Sequence, residues 1–75
     1  MDYKDRITSD PGIMLGKPII KGTRITVELI LKKVSEGADK SSLLKMYPNL
    51  TELDLNASFN YASEVIRNEE IIDPN

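Results

Sequence analysis

Three sets of residues in this 75-residue chain have types and spacings that could carry chemistry: the glycine-bounded stretch Gly16 to Thr23, the close acids Glu52/Asp54 and Glu69-Glu70, and the cations Lys17, Lys21, Arg24, Lys32 and Lys33. The first looks superficially like a phosphate loop. That chemistry needs four residues between the glycines and a Lys before a Ser or Thr. Here five residues intervene, no Lys follows Gly22, and Pro18 removes an amide donor. A pair of tight turns aiming two strands accounts for the glycines better. The acid pairs fare no better as a dyad, because adjacent helical residues point about 100° apart; a capped helix start and a solvated tail explain them. With no Cys, His or Trp, the chain cannot build a zinc finger, a disulfide framework, a thiolate nucleophile or an imidazole base. The expectation is a non-enzyme that needs no cofactor and no metal.

The cations form the serious candidate, as phosphate contacts. Net charge is -2 and the isoelectric point is near 5.0, so there is no bulk attraction for nucleic acid or an anionic membrane. The distribution is uneven, however. Residues 1–40 carry eight Lys/Arg against six acids, and residues 41–75 carry two against six, leaving the halves at +2 and -4. Between positions 17 and 33 only Glu28 interrupts Lys17, Lys21, Arg24, Lys32 and Lys33. Such contacts give affinity and salt dependence without sequence choice. Two other roles compete for them: Lys32 and Lys33 suit a helix C-terminus, and Arg24 suits a pairing with a nearby carboxylate such as Asp10.

The elements that must position these residues read as one domain. A β/turn arm covers 1–25, with short β-branched pieces at Arg6 to Ser9, Ile13 to Leu15, Pro18 to Ile20 and Thr23 to Ile25 between turns. A three-helix core covers 26–67. Val27, Ile30, Leu31 and Val34 form one helical stripe, with Thr26 as N-cap and Gly37 as stop. Asp39 caps a shorter helix, about Lys40 to Tyr47, with Leu43, Leu44 and Tyr47 inward and Pro48 ending it. Thr51-Glu52-Leu53-Asp54 fits an N-cap box, with Leu50 and Leu55 as a staple across it. The third helix then runs to about Arg67 on a stripe of Leu55, Phe59, Ala62 and Ile66. The turn Pro48-Asn49-Leu50 has helix-turn-helix spacing. On that reading the base-reading candidates are Asn49, Thr51, Asn56 and Asn60, although Glu52 and Asp54 would repel phosphates.

A chain this short buries only about 60% of the surface it exposes unfolded, so self-association is the expected support. With Leu55 at 0°, Leu53, Ala57 and Tyr61 fall at about 160°, 200° and 240° on the third helix. That second apolar stripe faces a dimer mate or a partner toxin; alternatively, Ala57 and Tyr61 pack under the N-terminal strands of the same chain. The acidic tail, 68–75, offers Glu69, Glu70 and Asp73 as phosphate mimics beside Ile71 and Ile72, which suits an electropositive nuclease; a frayed terminus is the alternative. The start, Met1-Asp2-Tyr3-Lys4-Asp5, lacks the apolar segment of a signal peptide, and the expected location is the cytoplasm.

The stretch Gly16-Lys17-Pro18-Ile19-Ile20-Lys21-Gly22-Thr23-Arg24-Ile25-Thr26-Val27 resembles the signature of a bacterial and archaeal family, domain-of-unknown-function family four-three-three, described as antitoxin-like. The resemblance extends upstream through Arg6-Ile7 and Asp10-Pro11-Gly12-Ile13, and downstream through Gly37, Tyr47-Pro48, Leu50-Thr51, Ala57 and Tyr61-Ala62. It thus covers residues 6 to 62. Leu15 departs from it, standing where the family often has a second Gly. The resemblance implies a mainly α, trihelical, winged-helix-like dimer with a short N-terminal β element. It further implies a protein that neutralises a PIN-like ribonuclease toxin by direct binding and represses its own operon. A helix-turn-helix transcriptional regulator without a toxin is the competing expectation.

Overall fold

The computed structural model describes residues 3–69. They form a two-stranded antiparallel arm, β1 (Ile7–Thr8) and β2 (Ile19–Ile20), followed by three helices, α1 (Val27–Ser35), α2 (Lys40–Met46) and α3 (Glu52–Arg67). The fold is mainly helical, as the change from period two to period 3.6 at Thr26 requires.

Each helix starts where its cap dictates. The Thr26 hydroxyl accepts the Leu29 N–H at 3.0 Å. Asp39 and Ser42 form a reciprocal capping box on α2, and Thr51 and Asp54 form another on α3. Each such cap contributes about 1 kcal/mol. α1 ends in a Schellman turn: the Ala38 N–H reaches the Lys33 carbonyl, the Gly37 N–H reaches that of Val34, and Gly37 takes φ 105°.

The arm is shorter in strand than its β-branched pieces suggest. Ile7 pairs with Ile20 and Thr8 with Ile19. Lys21-Gly22-Thr23-Arg24 is a tight turn rather than a strand approach, closed by the Thr23 hydroxyl donating to the Ile20 carbonyl at 2.7 Å. Ile13 to Leu15 is not a strand. Ile13 makes one bridge to Asp10, after which Met14, Leu15 and Gly16 turn left-handed with φ of 50°, 59° and 79°. The two glycine turns sit at opposite ends of β2, so they are not one phosphate-binding loop.

Ile7 and Ile20 from the arm, Val27 and Ile30 from α1, Leu43 from α2, and Leu50, Leu55 and Ala57 make one core. Leu50 and Leu55 both enter it, as the staple requires. The α3 stripe needs correction. Phe59 and Ala62 are partly buried, but burial stops there and Ile66 is 67% exposed. The inward arc is broad, from Ala57 through Asp54, Tyr61 and Ser58 to Leu55. Its centre is polar.

That centre is held by one carboxylate. Asp54 Oδ1 accepts Arg6 Nη1 at 3.0 Å, and Oδ2 accepts the Thr51 N–H at 2.9 Å. Burial pushes this carboxyl up, but the Thr51 N–H and the Arg6 guanidinium outweigh it and hold it below the ordinary Asp value. A depressed carboxyl stabilises the fold above its unfolded pKa and loses that contribution as pH falls through the folded one. Thermal melts of the wild type should therefore decline as pH drops below about 4, and Asp54→Asn should lack that component of the decline. Arg6→Met should cost about 2–3 kcal/mol at neutral pH by leaving the buried carboxylate without its counter-charge, measured by urea unfolding.

Candidate functional site

The five candidate phosphate contacts do not form one patch of free charge. Lys17 Nζ is bound to Glu28 Oε1 at 2.7 Å, and that hydrogen bond and charge hold the Glu28 carboxyl below its usual range. Lys32 lies 3.8 Å from Glu36, one helical turn on. Lys21, Arg24 and Lys33 have no ion-pair partner among the described residues. Arg24 and Asp10 line the same open cleft of about 650 Å³, with Ser9 and Thr23 beside apolar Pro11, Ile13 and Ile19. They form no ion pair; Asp10 Oδ1 instead accepts the Gly12 N–H at 2.8 Å and closes its own turn. Lys17, Arg24 and Lys32 do come together around a shallow depression with Met14 and Glu28.

The base-reading candidates scatter. Asn49 is exposed in the turn before α3, and Asn56 and Asn60 are half-buried. Thr51 is spent on capping, since its hydroxyl accepts the Asp54 N–H at 3.2 Å. The first turn of α3 presents Glu52 and Leu53 to solvent, Leu53 at 47% exposure. Lys40, from α2, lies 3.7 Å from Glu52. The first turn of α3 therefore presents an exposed Leu53 beside a Lys40–Glu52 ion pair.

The dimer stripe is corrected too. Ala57 is fully buried in the protomer's own core and has no surface to give a mate. Tyr61 packs edge-on against Tyr3, with ring centroids 5.3 Å apart. Both therefore take the alternative role, under the N-terminal segment of the same chain. Leu53 stays exposed, while Ala57 and Tyr61 on one side and Leu55 and Phe59 on the other edge one inward arc, divided by Asp54 and Ser58. Of the acidic tail, Glu69 is exposed; Glu70, Ile71, Ile72 and Asp73 lie outside the described residues.

Two features were not foreseen. One is the arm tip, where Leu15 is 93% exposed and Met14 44%, both in left-handed backbone that costs a non-glycine residue roughly 1–2 kcal/mol. The only signal in the sequence was Leu15 occupying a position that a Gly would fill without strain. The other is an apolar groove of about 330 Å³ between α1 and the C-terminal half of α3, lined by Val27, Leu31, Ala62, Val65 and Ile66, with Pro18 and Tyr61 at its floor and edge.

The family model for the protein of unknown function DUF433 matches residues 7–62. This chain belongs to the DUF433 family. Among solved structures, it is similar to a DUF433 member protein from Anabaena variabilis, with a TM-score of 0.81 and 33% identity over 85% of this chain. The chain spans 63% of the length of that protein. None of the curated proteins matches it. Within this DUF433 chain, the burial of α3 makes a direct forecast. Ala57→Glu should abolish the folded state by burying an unpaired charge. Leu53→Glu, one turn away on the exposed side, should shift stability by about 0.5 kcal/mol or less. Circular dichroism during thermal unfolding separates the two.

Proposed function

We propose that this DUF433 protein is a non-enzymatic, antitoxin-like protein that acts in the cytoplasm by binding and neutralising a PIN-like ribonuclease. The observation that carries this reading is the outer face of α3, where Glu52 and Leu53 are exposed at the position a DNA reader would fill with cations or amides. An exposed Leu53 beside the Glu52 carboxylate suits an electropositive nuclease channel, with Leu53 as the anchor and a partner cation competing with Lys40 for Glu52. The tail beginning at Glu69 adds to the same chemistry, since its residues combine acids with an Ile pair. Most of the cations that would favour nucleic acid either sit in ion pairs or lie on the arm and α1, away from this face.

A second reading, a helix-turn-helix transcriptional regulator without a toxin partner, draws on the α2–turn–α3 order and on Lys21, Arg24 and Lys33, which make no ion pair among the described residues. Mobility shifts on upstream DNA over a salt series separate the readings. A log–log slope of about -0.9 per phosphate contact supports the regulator, and no shift at low salt removes it.

The neutralisation reading is tested with a ribonuclease from the same gene neighbourhood. Leu53→Asp should raise the concentration needed to inhibit RNA cleavage at least about tenfold, equivalent to about 1.4 kcal/mol, without changing the far-ultraviolet spectrum. Deleting residues 69–75 should weaken inhibition further. Undiminished inhibition by both variants would overturn the reading.

A further inference from the structure

We infer that the cleft on the outer face of the arm binds a small zwitterion of the amino-acid or dipeptide class. Arg24 takes its carboxylate, Asp10 its ammonium group, and Pro11 and Ile13 its apolar side chain. The inference does not rest on the nuclease reading, which uses α3.

The cleft follows from the register of the ribbon. Successive strand residues point to opposite faces, so the paired Ile7 and Ile20 enter the main core while the paired Thr8 and Ile19 lie on the other side, lining the cleft. Ile19 is only 2% exposed without belonging to that core. The rest of the lining comes from two places, the segment after β1 and the turn after β2. Hydrogen bonds fix both. Asp10 Oδ1 accepts the Gly12 N–H at 2.8 Å and the Asp10 carbonyl accepts the Ile13 N–H at 2.9 Å, which leaves Oδ2 for another donor. The Thr23 hydroxyl donates to the Ile20 carbonyl at 2.7 Å and accepts the Ile25 N–H at 3.0 Å. The backbone that carries Arg24 is thereby set in advance, which lowers the cost of binding.

The charges select the ligand. Neither Arg24 nor Asp10 makes an ion pair among the described residues, although both line one cleft. Each keeps its charge for an outside partner. A guanidinium holds a carboxylate through two parallel N–H bonds, and a carboxylate oxygen accepts from an ammonium. A phosphate would meet Asp10 as a like charge, and a simple amine would meet Arg24 as one. A ligand carrying both signs satisfies both groups. Pro11 and Ile13 beside them favour one that also carries a hydrocarbon side chain. A volume of about 650 Å³ is ample for such a molecule, and a few placed polar groups among apolar walls are what small-molecule sites present.

Chemical-shift titration of the nitrogen-15-labelled full chain tests the inference, with leucine and leucyl-leucine as probes at about pH 6.5, where both termini are charged. Amides of Ser9, Asp10, Gly12, Gly22, Thr23 and Arg24 should shift and saturate below about 10 mM. Saturation by either probe supports the inference, and the tighter one fixes the span between the two charges. N-acetyl-leucinamide, which lacks both charges, should bind at least about tenfold more weakly. Arg24→Gln and Asp10→Asn should each weaken the better probe by at least about tenfold. Both variants should keep the wild-type melting temperature, because Arg24 has no partner to lose and an Asn still accepts the Gly12 N–H. Leu53→Asp should leave the titration unchanged, so failure here is separate from failure of the nuclease reading. No saturable shift with either probe overturns the inference, as does equal binding of the uncharged amide or full binding by both cleft variants. Inorganic phosphate that saturates the same amides more tightly than the zwitterions would overturn it too, marking a plain anion site.

Discussion

A single carboxylate, that of Asp54, joins the two halves of this molecule. It closes the capping box of α3 through Thr51 and receives the guanidinium of Arg6, forty-eight positions away in the chain. Arg6 in turn accepts the Lys21 N–H through its backbone carbonyl, just before β1 and just after β2. The direction of α3 and the seating of the arm are therefore one decision. The ion pair adds to the buried Ile7 and Ile20 and to the Tyr3–Tyr61 contact in holding a ribbon of two residues per strand, since an isolated hairpin is marginal in water. With it, Ile7 and Ile20 are delivered to the core and the arm tip is placed beside α1.

A charged contact at the centre of the inward arc is tolerable because its polar atoms are satisfied. Asp54 uses both oxygens, and the Ser58 hydroxyl, fully buried, donates back to the Asp54 carbonyl at 3.0 Å. Among the described residues no buried side-chain nitrogen or oxygen lacks a partner. Replacing the pair with hydrophobes need not weaken such a core; what the pair adds is register. A ribbon packed on α3 by Ile side chains alone could slide, whereas a guanidinium with one carboxylate to reach cannot.

Local chemistry was legible in the sequence and long-range chemistry was not. Thr26, Asp39 and Thr51 mark the helix starts, and Gly37 and Pro48 mark ends, because each acts on backbone groups within a few residues. The arm was over-read as strand at Ile13 to Leu15, since β-branching at one residue cannot reveal that the next three take positive φ. The α3 error has a similar origin. Helical projection sorts residues into apolar and polar, so Asp54 and Ser58 appeared to divide Leu55 from Ala57. Only the position of Arg6 reveals that the polar strip faces inward. For the cations, spacing alone could not tell that Lys17 meets Glu28 while Arg24 and Asp10 share a cleft without pairing. Of what the resemblance implied, the family and a mainly helical, three-helix fold with a short N-terminal sheet hold, and the placement of surfaces had to come from the folded chain.

The small size of the core explains where the remaining apolar surface went. Once Asp54 and Ser58 occupy the middle of α3's inward side, the hydrophobic contacts of α3 divide between Leu55 and Ala57, and α1 reaches the helix only along one flank. α3 runs to Arg67, but its burial fades after Ala62, so its last turns carry Val65 and Ile66 past the body of the protein. α1 faces the same gap with Leu31. On the arm, the turn before β2 holds Leu15 exposed in left-handed backbone. The turn is closed by the Gly16 N–H to the Ile13 carbonyl and the Lys17 N–H to the Met14 carbonyl, and the ion pair that seats the arm thus also helps to place it.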